Sequence, residues 1–333
     1  MSTFFNTVHI TNFKSLKDVT LSDCKRINLL IGKPNVGKSN ILEAIGIFNL
    51  LDADFNKKTH DFIRLTFLPE LFFDGNINET ISIKSDDIEC RIHYRNKDVR
   101  YENQVLFSFL RDNTVSNIIT GENLNIAKDE SINLFSNVKF YKFSTKIDSN
   151  NKDFSYLTPP FGENLFNIIQ TNSILKKEIA SIFSEYNLKL VFDKVSQSLK
   201  VMKETKGDDV FLLPYDSIAD TLQRVIFFKT AIVSNKNSII LFEEPEAHCF
   251  PPYIRHITQE IIESESNQFF IATHSPYVLN DFLEYQRDDV AIFIADFKDG
   301  QTVIKRLTDS EVNDVYGYGI DLFFNSELFT DEI

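Results

Sequence analysis

The chain has 333 residues, 43% of them hydrophobic, enough for one large domain or two modest ones with an ordinary globular core. A formal net charge of −13 excludes a molecule that is basic overall toward nucleic acid or an anionic membrane, though not one with a local basic patch. Lys229 breaks the longest apolar run, Val225 to Val233, so no membrane-spanning segment is expected.

The opening residues, Met1 to Asn6, lack the charge and the apolar run of a secretory signal. Val8 to Phe13 and Leu16 to Leu21 read as short strands, with a bend at Asn12-Phe13-Lys14-Ser15. Arg26 to Ile31 is a buried-strand run. It leads into Gly32-Lys33-Pro34-Asn35-Val36-Gly37-Lys38-Ser39, the spacing of a phosphate-binding loop. Behind it, Ile41, Leu42, Ile45 and Phe48 share one helical face. The motif thus stands between a strand and a helix N-terminus, where backbone N–H groups and the helix dipole gather an anion. Nucleotide binding is assigned to Gly32, Asn35, Val36, Gly37, Lys38, Ser39 and Asn40. Gly32 and Gly37 allow a tight approach to the phosphates, Lys38 reaches the β- and γ-phosphates, and Ser39 gives its hydroxyl to Mg²⁺.

After a polar break from Asp52 to Asp61 comes an apolar segment, Phe62 to Phe73, closed by the turn Asp74-Gly75-Asn76. Thr80 to Lys84, Glu89 to Tyr94 and Gln104 to Phe109 alternate apolar and polar residues, as an antiparallel meander with one solvated face does. Asn113 to Ser131 is weakly patterned and expected to be rich in loops, and Asn137 to Phe143 is a further strand. Past Thr158 to Gly162, two helices are expected between Leu165 and Phe183, with a break at Asn172-Ser173. Leu188 to Phe192, Ser198 to Met202 and Val210 to Leu213 are short strands, and Asp216 to Ser234 is a helix capped near Asp216 and Ser217. Apolar strands at Ser238 to Phe242 and Gln268 to Thr273 then alternate with helices at Pro252 to Glu263 and from Tyr277. Val290 to Ala295 and Thr302 to Leu307 close the pattern as a hairpin across Asp299-Gly300. The alternation implies a parallel sheet covered on both faces. Cys24, Cys90 and Cys249 lack disulfide or zinc spacing and suit a reducing cytoplasm.

Two strand ends carry further chemistry. Ile239 to Phe242 delivers Glu243-Glu244-Pro245-Glu246 to the carboxyl edge of the parallel sheet, where ligands bind. Glu243 is assigned to Mg²⁺, directly or through water, and Glu244 to polarising the attacking water. Ile271-Ala272-Thr273 delivers His274, assigned to a hydrogen bond with the γ-phosphate or that water.

In order, Asn12-Phe13-Lys14-Ser15, Gly32 to Ser39, Leu241 to His248 and Ala272 to Pro276 resemble the ABC-class ATPase heads of the SMC, RecF and OLD type. The resemblance extends especially to short bacterial AAA-family ATPases found in phage-defence operons. The likeness covers residues 8–50 and 210–295 well and the middle loosely. It implies an α/β fold, a P-loop NTPase head of the ABC type with a parallel core sheet, an antiparallel β lobe and a small helical subdomain. Residues 1–333 would form one head: 1–50 and 210–307 as nucleotide-binding core, 51–157 as β-rich lobe, 158–209 as helical and short-strand subdomain, 308–333 as acidic, apolar C-terminal segment. The family often has Asp at the metal position, where Glu243 is one methylene longer, but the Glu-Glu-Pro-Glu form also occurs in OLD-like members.

The resemblance has departures. ABC heads carry Leu-Ser-Gly-Gly-Gln-x-Gln-Arg, whose Ser and Gly grip the γ-phosphate of the opposite subunit. Aligning on Gln223-Arg224 puts Ile218 at the serine and Asp220 at the second glycine, with Ser217 one residue off. An aspartate aimed at a phosphate would repel it; the alternative reading of Ser217 to Arg224 is a plain capped helix. No glutamine lies between Ser144 and Gly162, where a Q-loop residue is expected, and no acidic cluster of a TOPRIM nuclease follows Gln268. From Leu307 to Ile333 there are seven acidic residues and no Lys or Arg, among many apolar ones. This tail either packs on its own core or docks a partner.

The leading expectation is an ATPase with ATP and Mg²⁺ as cofactors that pairs with a second copy through its heads. It would drive or sense for a separately encoded effector, a nuclease or toxin, in anti-phage defence. One alternative is a DNA-repair or DNA-scanning ATPase, with Lys14, Lys17, Lys25, Arg26 and Lys33 as either a basic lobe or a merely solvated face. Another is a scaffold that binds ATP without turnover. Nucleic acid stays open as a partner; a membrane does not.

Overall fold

The computed structural model describes residues 4–54, 56–95, 103–129, 134–145, 154–204 and 210–330. The chain divides into two units: Met1–Phe140, Asn237–Glu244 and Asn267–Ile333 form one, and Tyr141–Lys236 with Pro245–Ser266 the other.

In the first unit, β1 (Val8–Phe13) and β2 (Leu16–Leu21) form a hairpin in which Phe13 faces Leu16. The turn holds Lys14 at a φ of 50°. β3 (Ile27–Ile31) is buried throughout and runs into the phosphate loop, followed by α1 (Lys38–Gly46) and, further on, the short α2 (Thr59–Phe62). The expected meander is present as β4 (Ile81–Ser85), β5 (Glu89–Arg95) and β6 (Gln104–Arg111). It continues through β7 (Thr114–Gly121) and β8 (Ile126–Lys128), giving a seven-stranded sheet in the order β2-β1-β4-β5-β6-β7-β8.

β7 and β8 correct the expectation of loop from Asn113 to Ser131, of which residues 130 and 131 lie outside the described residues. β7 pairs along the whole of β6, from Gln104↔Gly121 to Arg111↔Thr114. Its buried positions are Ser116, Ile118 and Thr120, two of them polar. A strand whose inward face is mostly hydroxyl carries little alternation of hydrophobicity, so its period of two is muted. The Thr120 hydroxyl meets that of Thr59 at 2.8 Å.

In the second unit, α3 (Leu165–Thr171) and α4 (Ser173–Ser184) break at Asn172, whose side chain accepts from the N–H groups of Ile174 and Leu175. β10 (Leu188–Asp193), β11 (Ser198–Glu204) and β12 (Val210–Pro214) make a three-stranded antiparallel sheet. α5 (Asp220–Ser234) starts later than expected. Tyr215–Ser217 is a 3₁₀ turn, Ile218 is extended, and the cap is Ala219, not Asp216 or Ser217. Gln223 Nε2 donates to the carbonyls of Asp216 and Ile218, which holds that entry in place. α6 (Pro251–Glu263) packs on α5, and buried Lys229 of α5 is ion-paired with Glu260 of α6 and, at 3.0 Å, with Glu178 of α4.

Back in the first unit, β9 (Val138–Tyr141), β13 (Ile239–Glu243), β14 (Gln268–Ala272), β15 (Val290–Lys298) and β16 (Gln301–Arg306) join β3 in a six-stranded sheet. Its order is β16-β15-β3-β14-β13-β9; the β15, β3, β14 and β13 neighbours are parallel and β16 closes an antiparallel hairpin. α1 packs against β1 of one sheet and β13 and β14 of the other. One apolar core, with Ile10, Ile41, Ile45, Phe107 and Phe270, joins the two layers. α7 (Pro276–Tyr285), α8 (Asp309–Tyr318) and α9 (Glu327–Thr330) complete the unit. The C-terminal segment packs on its own unit through buried Val312, Val315 and Leu322, yet leaves Tyr318, Phe324 and Leu328 exposed. Among the described residues no helix is long and apolar enough to cross a membrane.

Candidate functional site

The site begins where β3 ends. Gly32 has φ 154°, and a β-carbon there would fall 2.2 Å from the Ala295 carbonyl oxygen; Gly37 has φ 99°, and a β-carbon would fall 2.1 Å from Thr302 Oγ1. Only glycine fits either position. Ser15 Oγ lies 2.7 Å from Thr302 Oγ1 and accepts from Asn40 Nδ2 at 2.8 Å, so the first hairpin and β16 brace the loop from behind. Lys38 is buried, and its ammonium donates to the Gly32 and Lys33 carbonyls, both at 2.8 Å. Burial lowers its pKa to about 8, against the opposing pull of Glu244 and Glu243.

The carboxylates arrive by strand register. Glu243 ends β13 opposite Ala272, and the Glu244 N–H donates to the Ala272 carbonyl at 2.8 Å. Glu244 sits at φ 44°, a strained conformation for a side chain of its size. His274 Nε2 stands 3.6 Å from Glu244 Oε1, beyond hydrogen-bond reach. Burial first, then the Lys38 charge, lower the His274 pKa from its ordinary value, which keeps the ring neutral near pH 7.

Asn35, Gly37, Lys38, Ser39, Asn40, Glu243, Glu244 and His274 line one cleft of about 420 Å³. Gly32 and Val36, also assigned to nucleotide, do not line it: Gly32 backs onto Ala295, and Val36 is buried. Among the described residues no three His, Cys, Asp or Glu side chains cluster to hold a metal alone. The Ser39 hydroxyl and Glu243 carboxylate are hard oxygen donors, which fit a Mg²⁺ ion that brings phosphate oxygens and waters as its remaining ligands.

Residues 27–280 match the family described as "AAA domain, putative AbiEii toxin, Type IV TA system". The chain belongs to this AAA family. A structure titled as the Smc head bound to the C-winged helix domain of ScpA is 18% identical, with 92% of this chain and 99% of that one covered and a TM-score of 0.53. A Smc head with an extended coiled coil, bound to the C-terminal domain of ScpA derived from Pyrococcus furiosus, is 14% identical, with 95% and 99% covered and a TM-score of 0.53. These likenesses show the fold, an ABC-type head of the SMC kind with a mostly parallel sheet and an antiparallel lobe, as expected from sequence. "Uncharacterized protein MJECL10" of Methanocaldococcus jannaschii is 26% identical over 92 residues, 28% of this chain and 42% of that relative. The match therefore spans less than half of that protein.

The cleft of this AAA-family domain also holds a residue that no motif announced. Arg64 lines it, with Nη2 donating to Glu243 Oε1 at 3.1 Å and Nε to Glu43 Oε1 at 2.8 Å. Its only sequence signal is being the one basic residue in the apolar segment Phe62 to Phe73. In the second unit, Asp220 of the altered signature accepts from Arg224 Nε at 3.0 Å, so its charge is met within its own helix. The stretch Ser144 to Gly162, expected to carry a Q-loop, falls partly outside the described residues, which omit 146–153.

Proposed function

We propose that the chain is an ATP-binding and hydrolysing ABC-type head that serves, in the cytoplasm, as the nucleotide-driven sensor or engine of an anti-phage defence complex with a separate effector. The observation that carries this reading is the convergence of Lys38, Ser39, Glu243, Glu244 and His274 on one cleft. Phosphate cradle, metal donors, a carboxylate base and a neutral imidazole are the parts phosphoryl transfer to water requires. Lys38 leaves the loop carbonyls for the phosphates. Ser39 and Glu243 would hold Mg²⁺, which would supply neutralisation of the phosphate charge. Glu244 takes the proton of the attacking water, and His274, neutral, donates to the γ-phosphate or orients that water. The family description, with its type IV toxin–antitoxin association, supports a defence role and a partner protein. Both Smc heads above were solved with a ScpA domain bound. By analogy, the exposed Tyr318, Phe324 and Leu328 are proposed as the effector's docking surface.

The scaffold alternative is disfavoured because a non-hydrolysing site has no use for Glu244 in a strained backbone beside His274. The DNA-scanning alternative is weakened, because four of the five cations of its basic lobe are met by carboxylates, Lys17 lying instead over the Phe73 ring. Lys14, Lys25, Arg26 and Lys33 pair with Glu43, Asp309, Asp289 and Glu327 respectively. The deciding experiment is steady-state ATP hydrolysis by wild type and Glu244→Gln. The variant should bind ATP but turn over at least about a hundredfold more slowly, as expected for loss of a general base. Wild-type turnover in Glu244→Gln would assign the base elsewhere.

A further inference from the structure

Arg64 brings a protein cation into the metal end of the cleft from outside the phosphate loop and the parallel sheet. Its guanidinium bridges two carboxylates, Nη2 to Glu243 Oε1 at 3.1 Å and Nε to Glu43 Oε1 at 2.8 Å, and its backbone N–H donates to the same Glu43 oxygen at 3.1 Å. Glu43 lies on α1, four residues after Ser39, and is fully buried. A carboxylate is kept in such a place only when its charge is met. The other Glu43 oxygen is met by Lys14 Nζ at 2.5 Å, and the same ammonium donates to the Arg64 carbonyl at 2.6 Å. Lys14 reaches both from a left-handed backbone conformation, strain that persists where the surroundings hold it. The inner end of Arg64 is thus fixed at its backbone N–H, its carbonyl and its Nε. The side chain as a whole is 58% exposed, so its Nη end has room to turn.

Glu243 is the carboxylate read above as the metal ligand. The same carboxylate cannot serve a guanidinium and a dehydrated divalent ion at full strength, and Mg²⁺ demands near-ideal geometry of its donors. We propose that Arg64 is a placeholder cation. It neutralises Glu243 while the metal is away, gives way at Nη2 when Mg²⁺ enters with nucleotide, and stays tethered through Nε to Glu43. Glu43 and Lys14 are then positioning residues for Arg64. This inference rests on the metal role proposed for Glu243.

The test uses the full chain and the non-hydrolysable analogue AMP-PNP, reading ligand-induced thermal stabilisation against free Mg²⁺. Arg64→Gln alters an exposed side chain and removes the competing cation. Its half-saturating free Mg²⁺ should fall about threefold to tenfold, the range for a charge-assisted hydrogen bond discounted for exposure. An unchanged or raised Mg²⁺ requirement overturns the placeholder role and leaves Arg64 a phosphate contact or a structural residue. The second measurement is the Arg64 Nε–Hε resonance in ¹⁵N-labelled protein. It should stay protected from exchange through Mg²⁺ saturation in wild type and lose protection in Glu43→Gln. Its loss in wild type on adding Mg²⁺ overturns the tether; should Glu43→Gln not fold, the wild-type signal and Arg64→Gln decide. A wild type that binds AMP-PNP without regard to Mg²⁺ instead overturns the metal role of Glu243, and the inference with it.

Discussion

Lys38 holds the largest electrostatic tension in the cleft. Its ammonium is buried, bonded to two loop carbonyls and lowered to a pKa of about 8 from an ordinary 10.5. Below pH 8 it is charged in both folded and unfolded chains. Between about 8 and 10.5 the folded chain has shed the proton and the unfolded chain has not, so the stability of the nucleotide-free protein rises with pH across that window. Nucleotide phosphates need the charged form. ATP affinity should therefore be flat below pH 8 and fall by up to about tenfold per pH unit above it. Calorimetric titrations from pH 6.5 to 9.5 check this, and Lys38→Ala should abolish both the binding and the ATP-induced thermal shift. A persistent shift in Lys38→Ala would remove the residue from the phosphate site. That Lys38, Ser39, Glu243, Glu244 and His274 share one cleft was legible because Lys38 and Ser39 open α1 behind the phosphate loop and the other three follow from the ends of β13 and β14, each within a short motif whose spacing encodes its geometry. Arg64 and Glu43 were not, because their partnership spans 21 residues of sequence and neither belongs to a patterned motif.

At the scale of elements, sequence reasoning succeeded where one periodicity dominated. β3, β13 and β14 are almost wholly apolar and appear as buried parallel neighbours, and the α3–α4 break falls at the residue whose side chain caps the second helix. It failed where polar residues face inward, as Ser116 and Thr120 do on β7, and where a 3₁₀ turn took up the residues that looked like a helix cap, as at Tyr215–Ser217. The Asn172 cap gives a direct check on the first kind of success. Asn172→Ala removes the acceptor for two otherwise unmet N–H groups of α4 and should cost ~1 kcal/mol, with a smaller loss for Asn172→Gly. Urea unfolding followed by circular dichroism measures both. Equal stability of all three proteins would mean that α4 is held by Leu175, Ile179 and Phe183 in the core alone.

At the scale of the molecule, the cleft is left half-open at its reactive end. The side chains of Glu244 and His274 are 47% and 36% exposed, whereas efficient transfer to one chosen water requires that bulk water be kept out. A second head closing over the site, as the resemblance to ABC-type heads leads one to expect, would supply the cover. Each copy carries a net charge of −13, so like-charge repulsion opposes that closure at long range. Raising ionic strength from 0.01 M to 0.15 M shortens the screening length from about 30 Å to about 8 Å and should strengthen pairing rather than weaken it. Sedimentation of Glu244→Gln with Mg²⁺ and ATP at both ionic strengths tests this, and a monomer in every condition would end the pairing proposal. The effector's docking surface needs a gentler probe than truncation. Cutting at Leu307 would remove Val312, Val315 and Leu322 from the core and unsettle the head itself. Phe324→Ser and Leu328→Ser change side chains that are 87% and 70% exposed, so folding and ATP-dependent pairing should be retained while capture of the proposed effector is lost. An effector captured equally well by the double variant would show that Phe324 and Leu328 are not its docking contacts.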